Sequence, residues 1–258
     1  MRPRSIAYAT DLAARVAEGG TVEQADGFRV VGTPANRAFR WGNFLLADRA
    51  ADLVDPGRWV LRHRAAFPDL DFTTVGVDDP DAGFDESAWR AAGFEVERSA
   101  VLRAAAGGVA LTDADAEEIA GDAAWADVEA IELELGAGET DHPAFVRRRI
   151  DAERSAVRAG RAAWLGLRAD GRIVSALGVL PAPGGTARYQ NVGTLAAYRR
   201  RGAAGRLVGA AAALAAERWG CTELVLVADP EGPAIALYRR LGFRDAETQV
   251  QLTRMGGS

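Results

Sequence analysis

The chain has 258 residues, 48% of them apolar, and a net charge of −5, which is enough to bury one large core or two small ones and speaks against nucleic acid as a partner. No apolar run approaches the ~18–20 residues of a membrane helix, and the basic start Met1-Arg2-Pro3-Arg4 is followed by no long apolar stretch, so neither a membrane nor a secretory signal is expected and the expected compartment is the cytoplasm. All 31 basic side chains are arginine, so no lysine is available for a Schiff base or for acylation.

In chain order, Trp41-Gly42-Asn43 comes first among the informative segments. An apolar strand, Phe72-Thr73-Thr74-Val75-Gly76-Val77, then enters the acidic turn Asp78-Asp79-Pro80. A short helix ending Ala88-Trp89-Arg90-Ala91-Ala92-Gly93-Phe94 leads into another strand. The small, featureless run Ala104-Ala105-Ala106-Gly107-Gly108 reads as a linker dividing the chain into domains at residues 1–104 and 109–254.

Beyond it, residues 110–112 suit a short strand, and Asp113, Asp115, Glu117 and Glu118 crowd what reads as a helix start. Helices follow at about 122–135 and 143–159, the second opened by Pro143 and carrying Arg147, Arg148 and Arg149. Two apolar segments flank Asp170-Gly171, a strong hairpin signal, and a third strand runs from Ala187 to Leu195 to complete a meander. An Ala-rich helix over 202–218 stops at Gly220; a strand at 223–228, a helix at 233–241 and a strand at 243–252 end the domain. The single cysteine, Cys221, rules out an internal disulfide and reads as a small core residue. The two histidines, His63 and His142, are too few for a metal site built mainly from histidine and cysteine, so no metal is expected.

The two parts repeat. Trp41-Gly42-Asn43 matches Tyr189-Gln190-Asn191, the strand before Asp78-Asp79-Pro80 matches Glu223-Leu224-Val225-Leu226-Val227 before Asp229-Pro230, and Trp89 to Phe94 matches Tyr238 to Phe243. The offsets are all about 150 residues.

The segment Arg199-Arg200-Arg201-Gly202-Ala203-Ala204-Gly205-Arg206 joins the third strand of the meander to the Ala-rich helix. Free N–H groups at a helix start favour an anion, small residues let a phosphate approach the backbone, and arginine pairs with its oxygens. It is neither a Walker A loop nor a GxGxxG turn.

Together with Ala234, Leu237-Tyr238 and Gly242-Phe243 further on, Arg199-Arg200-Arg201-Gly202-Ala203-Ala204 resembles the two motifs of the GNAT superfamily of N-acetyltransferases, in their order and spacing over about residues 109–254. The first part resembles the later half of the same fold and lacks the arginine–glycine turn. The resemblance implies an α+β fold, a mixed and mostly antiparallel central sheet flanked by helices, as a tandem of one degenerate and one complete domain. It implies acetyl-CoA as co-substrate and an amine of an unidentified small molecule or peptide as acceptor; a non-catalytic acyl-CoA-binding sensor is the alternative.

By position, the resemblance assigns the backbone of Val192, Gly193 and Thr194 to the pantetheine arm and thioester, Arg199, Arg200, Arg201, Gly202, Ala203, Ala204 and Gly205 to the pyrophosphate, and Tyr238 to the coenzyme sulfur. Tyr238 is either the acid that protonates the departing thiolate or a packing tyrosine. Tyr189, Asn191, Glu132 and Glu231 are the candidates for the acceptor side. Glu132 and Glu134 stand two apart and cannot share a helical face, so at most one turns inward. Glu231 stands where the family often has asparagine; it replaces that contact or faces water. The general base and the oligomeric state stay open.

Overall fold

The computed structural model describes residues 3–80, 83–109, 115–136 and 142–256, with only the backbone for His142. In chain order the elements are α1 (Ile6–Ala17), β1 (Thr21–Ala25), β2 (Phe28–Gly32), β3 (Phe44–Ala47), α2 (Pro56–Ala66), β4 (Phe72–Val77), α3 (Glu86–Ala91) and β5 (Glu95–Ala105). They continue with β6 (Ala116–Glu118), α4 (Gly121–Leu135), α5 (His142–Arg158), β7 (Ala163–Ala169), β8 (Arg172–Ala182), β9 (Thr186–Thr194), α6 (Ala203–Trp219), β10 (Glu223–Ala228), α7 (Ile235–Arg240) and β11 (Arg244–Met255).

These elements form two units. Unit 1 comprises Met1–Val101, Val227–Gly232 and Asp245–Ser258. Its strands run β1-β2-β3-β4-β11, antiparallel except for the parallel pair β3–β4. The last strand of the sequence therefore completes the first unit: β11 pairs with β4 from Gln251↔Gly76 to Met255↔Phe72. Glu247 fastens it by accepting the Ser5 hydroxyl at 2.5 Å and the Ala7 N–H at 2.8 Å, at the start of α1. The core gathers Leu45, Trp59, Val75, Trp89, Phe94 and Leu252.

Unit 2 comprises Leu102–Leu226 and Pro233–Arg244. Its strands run β10-β9-β8-β7-β6, with a β7–β8–β9 antiparallel meander and a parallel β9–β10 pair. Asp170 (φ 50°) and Gly171 (φ 81°) make the hairpin turn in left-handed backbone, as the Asp-Gly signal requires.

Two expectations are corrected here. Ala104 and Ala105 are not linker: they end β5, and a 3-10 turn over Ala106–Gly108 follows, with the Ala106 N–H on the Thr222 carbonyl at 2.9 Å. Gly242 approaches that turn so closely that a Cβ there would lie 2.7 Å from the Gly108 carbonyl oxygen. Glu117 and Glu118 do not open a helix either; they lie in β6 and pair with Arg168 and Arg218, while α4 begins only after Ala120. Residues 110–112 and Asp113 fall outside the described residues. The other elements expected after residue 120 form within three residues of the expected limits. Cys221 is buried, its thiol 3.3 Å from the Thr186 carbonyl oxygen.

Candidate functional site

β9 is the strand around which the site is built. Its antiparallel ladder with β8 is interrupted between Ala176↔Gly193 and Gly178↔Gln190, so Asn191 and Val192 stand opposite Leu177 alone. This is a bulge, and Asn191 within it has φ 48°. On the other edge β9 pairs with β10 only through Val225↔Arg188. β9 continues to Thr194, so Tyr189 to Thr194 carry an edge outside that ladder. A strand edge without a neighbour offers N–H and C=O groups to an extended ligand.

The far end of this edge is fixed from both sides. Ser175 donates to the Gly193 carbonyl at 2.9 Å and shares a hydrogen bond with the Thr194 hydroxyl at 2.8 Å. Gly193 leaves room for α4: a Cβ there would lie 2.7 Å from Ile131 Cγ2 and 3.0 Å from Leu135 Cδ1. Ile131 and Leu135, four apart on one helical face, roof the strand at this point.

After β9 the chain turns through Arg199 and Arg200 (φ 62°) to Gly202 (φ 80°), the N-cap of α6. Gly202 has no side chain to cap the helix, and a positive φ of this size suits glycine. Arg206 is the first residue of the helix start whose N–H reaches a backbone acceptor there, the Gly202 carbonyl at 3.1 Å. The amides of Ala203, Ala204 and Gly205 thus precede the first bond of the helix ladder, the arrangement that collects anions. Gly205 is buried against Leu237 and Leu241 beside α7. Of the arginines, Arg199 donates from Nε to the Thr194 carbonyl at 2.9 Å and stands 3.9 Å from Glu134. Arg201 stacks on Tyr198 at 5.3 Å. Arg206 stands 3.7 Å from Asp115, and Arg200 is exposed.

Tyr238, on α7, is 6% exposed and packs edge-on to Phe243 at 6.3 Å. Burial raises its pKa above that of an ordinary phenol. Its hydroxyl has no hydrogen bond to the described residues.

The acceptor-side candidates have these surroundings. Tyr189 is turned under the strand: it is 3% exposed and its hydroxyl donates to the Val208 carbonyl of α6 at 2.9 Å. Glu132 is 7% exposed and ion-paired with Arg149. Asn191 gives its side-chain amide to Glu153 at 2.7 Å. Glu231 belongs to a segment of unit 1, is exposed, and bonds through its own N–H to Asp229 at 2.9 Å. Tyr189, Glu132 and Asn191 thus bond their side chains within the protein, while the Glu231 side chain is exposed. Glu134, exposed near the end of α4, accepts the Ala196 N–H at 2.6 Å and so anchors the approach to the arginine turn. Glu153 and Ser175 were missed. The i,i+4 spacing of Arg149 and Glu153 was the one signal for the former; nothing local distinguishes Ser175.

Unit 1 repeats the plan with each feature closed. β3 and β4 stay paired to Ala47↔Val77, and the Asp78 N–H extends the ladder to the Ala47 carbonyl at 2.8 Å. α2 is capped by Asp55, whose carboxylate accepts the N–H groups of Gly57 at 2.9 Å and Arg58 at 3.2 Å. Asp79 takes the Ala50 N–H at 3.2 Å. Trp89, in the place of Tyr238, is fully buried and donates to the Leu53 carbonyl at 2.8 Å.

Residues 125–243 match the model of the acetyltransferase (GNAT) family. Among solved structures, a functionally unknown conserved protein from Staphylococcus epidermidis is similar over 93% of this chain and 95% of its own, with 12% identity and a TM-score of 0.72. A GCN5-related N-acetyltransferase from Kribbella flavida is similar over 95% and 96%, with 21% identity and a TM-score of 0.66. A tandem GNAT protein from the clavulanic acid biosynthesis pathway is similar over 83% of this chain and 74% of its own, with 18% identity and a TM-score of 0.55. No curated protein matches in sequence. Among the described residues no helix is long and apolar enough to cross a membrane, and no cluster of three potential metal ligands occurs.

Proposed function

We propose, from the premise that residues 125–243 form a GNAT acetyltransferase domain and that the N-terminal half shares its fold, that the chain moves an acetyl group from acetyl-CoA to an amine of a small molecule or peptide, with every coenzyme contact made by unit 2. One observation carries the proposal: an uncapped helix start behind Gly202 lies at the end of the strand whose edge is free beyond Arg188. An anion cradle and an extended-ligand edge in series are what a diphosphate with a long pantetheine arm requires.

On this reading the amides of Arg200 to Gly205 hold the pyrophosphate, with Arg199, Arg200 and Arg201 supplying positive charge. The backbone of Val192, Gly193 and Thr194 holds the arm and directs an N–H at the thioester oxygen, where charge grows during attack. The incoming ammonium loses its proton to water. The amine nitrogen then bonds to the acyl carbon and gives its second proton to water, the carbon–sulfur bond breaks, and its electron pair leaves on sulfur. Tyr238, kept protonated by burial, gives its proton to that sulfur and regains one from solvent. Unit 1 is a degenerate half that takes no coenzyme: its own carboxylates occupy the corresponding amides.

Thiol release from acetyl-CoA across a panel of primary amines, polyamines, aminoglycosides, amino acids and peptides tests this. Amine-dependent release supports the transferase. Saturable coenzyme binding with no release above buffer for any amine would replace it with the non-catalytic sensor.

A further inference from the structure

Asn191 is in left-handed backbone inside a strand, a conformation that costs a residue with a Cβ free energy and that asparagine adopts more readily than most. Its side-chain amide donates to Glu153 Oε1 at 2.7 Å. Glu153 is 1% exposed, and the same oxygen lies 3.6 Å from Arg149 Nε. Arg149 in turn pairs with Glu132, which is 7% exposed. Two buried carboxylates around one guanidinium form a rigid group, because displacing any member strands a charge.

The repeat supplies an internal control. Asn43 holds the position of Asn191 in the first half, yet its φ is −132°. Its side chain is spent on backbone: it accepts the Thr33 N–H at 2.9 Å and donates to the carbonyls of Asn36 at 3.0 Å and Phe39 at 2.9 Å. The strand that follows Asn43 stays paired with its parallel neighbour to the end. The strand containing Asn191 bulges, and its parallel ladder stops three residues earlier. The same residue type thus accompanies both outcomes; Asn191 bonds a buried carboxylate where Asn43 bonds backbone.

We infer that Glu153 is a positioning residue that holds Asn191 left-handed and thereby keeps the edge of β9 parted from β10. That this edge receives the coenzyme rests on the proposed function; the clamp itself does not. Glu153 acts through Asn191 and touches no reacting atom.

The test compares the full-length wild type, Glu153→Ala, Asn191→Gly and the double variant. The 13Cα and 13Cβ shifts of Asn191 report its backbone conformation, and calorimetry gives the Kd for coenzyme A. In Glu153→Ala the Asn191 shifts are expected to move to extended values and the Kd to rise about tenfold, the order set by the cost of left-handed backbone. Asn191→Gly, which needs no clamp, is expected to restore the Kd of Glu153→Ala to within about threefold of wild type. A general loss of packing would not be rescued by glycine. Left-handed Asn191 in folded Glu153→Ala, or no rescue in the double variant, overturns the inference. If Glu153→Ala does not fold, Asn191→Val carries the test with Glu153 in place, and an unchanged Kd there overturns it. A wild type that binds no coenzyme A, with Asn191 still responding to Glu153→Ala, supports the clamp and sinks the coenzyme reading.

Discussion

Asp55 stands in front of α2 as Gly202 stands in front of α6, and the two leave their helices in opposite states. The Asp55 carboxylate takes two amides of α2, while Gly202 leaves those of α6 without a side-chain cap. Gly202→Asp should convert the second state into the first. It places a carboxylate where a phosphate would bind and imposes a Cβ at φ 80°. The expected result is a rise in the Kd for coenzyme A on the order of a hundredfold, from losing charge-assisted hydrogen bonds. Calorimetry that returned the wild-type Kd would remove this helix start from the site.

Gly205→Ala should behave in the opposite way, although both glycines lie in one motif. A Cβ at Gly205 would meet Leu237 and Leu241 at 3.7 and 3.8 Å, ordinary contact distances. The position is helical, so alanine should add about 0.5–1 kcal/mol of stability. Thermal denaturation should show a small rise in Tm, with the Kd for coenzyme A changed less than about threefold. A fall in Tm would mean that α6 and α7 have no room to give.

Tyr238→Phe should lower kcat by about a hundredfold or more and move KM little, because a general acid acts only in the transition state. Burial raises the folded pKa of Tyr238, so the wild-type rate should not fall from loss of this proton until pH exceeds the ordinary phenol value of about 10. An unchanged kcat would reduce Tyr238 to a packing residue.

How much of this was legible in the sequence depends on the range of the interactions. Asp170-Gly171 specified its hairpin because the turn chemistry is local, and Arg199 to Gly205 specified a helix start because glycine and small residues are needed there in sequence. Asn191 was legible as a member of the central strand but not as a left-handed residue, since its conformation depends on Glu153, 38 residues away. Glu132 carried the same signal as any helical glutamate; only its pairing with Arg149 buries it. Tyr189 faced two possible sides of a strand, and which side is core follows from where α6 packs. The run Ala104 to Gly108 has no pattern of its own; its first two residues are strand and the rest a 3-10 turn because of their neighbours.

His63 makes the stability of unit 1 sensitive to acid. It is buried, with Nε2 at 3.3 Å from the Asn43 carbonyl oxygen, and burial lowers its pKa to about 4. The folded value lies below the unfolded one of about 6.5, so the neutral ring contributes stability that is complete above pH 6.5 and is lost as the pH falls through 4. The loss attributable to this group should reach about 3 kcal/mol. Urea unfolding at pH 7 and pH 4, in wild type and in His63→Gln, isolates it: the acid loss should be smaller in the variant. Equal losses would assign acid sensitivity to other groups.

β11 gives the last prediction, because it lies at the end of the sequence and completes the first unit. Removing residues 245–258 would strip β4 of its antiparallel partner from Gly76 to Phe72. It would take Glu247 from the start of α1 and leave the buried Tyr8 hydroxyl without the Val250 carbonyl that accepts it at 2.7 Å. It would also remove Leu252 from beside Trp59 and Trp89. Losing a buried strand and an acceptor for a buried hydroxyl costs several kcal/mol, comparable with the whole stability of a small domain. Hydrogen exchange on a chain ending at Arg244 should therefore show protection lost in α1, β3 and β4. The β7–β8 hairpin of unit 2, whose ladder contains no residue of β11, should keep its protection. Equal protection of both units after truncation would mean that β11 is an appendage, and unequal loss centred on unit 2 would return this strand to the half of the sequence that encodes it.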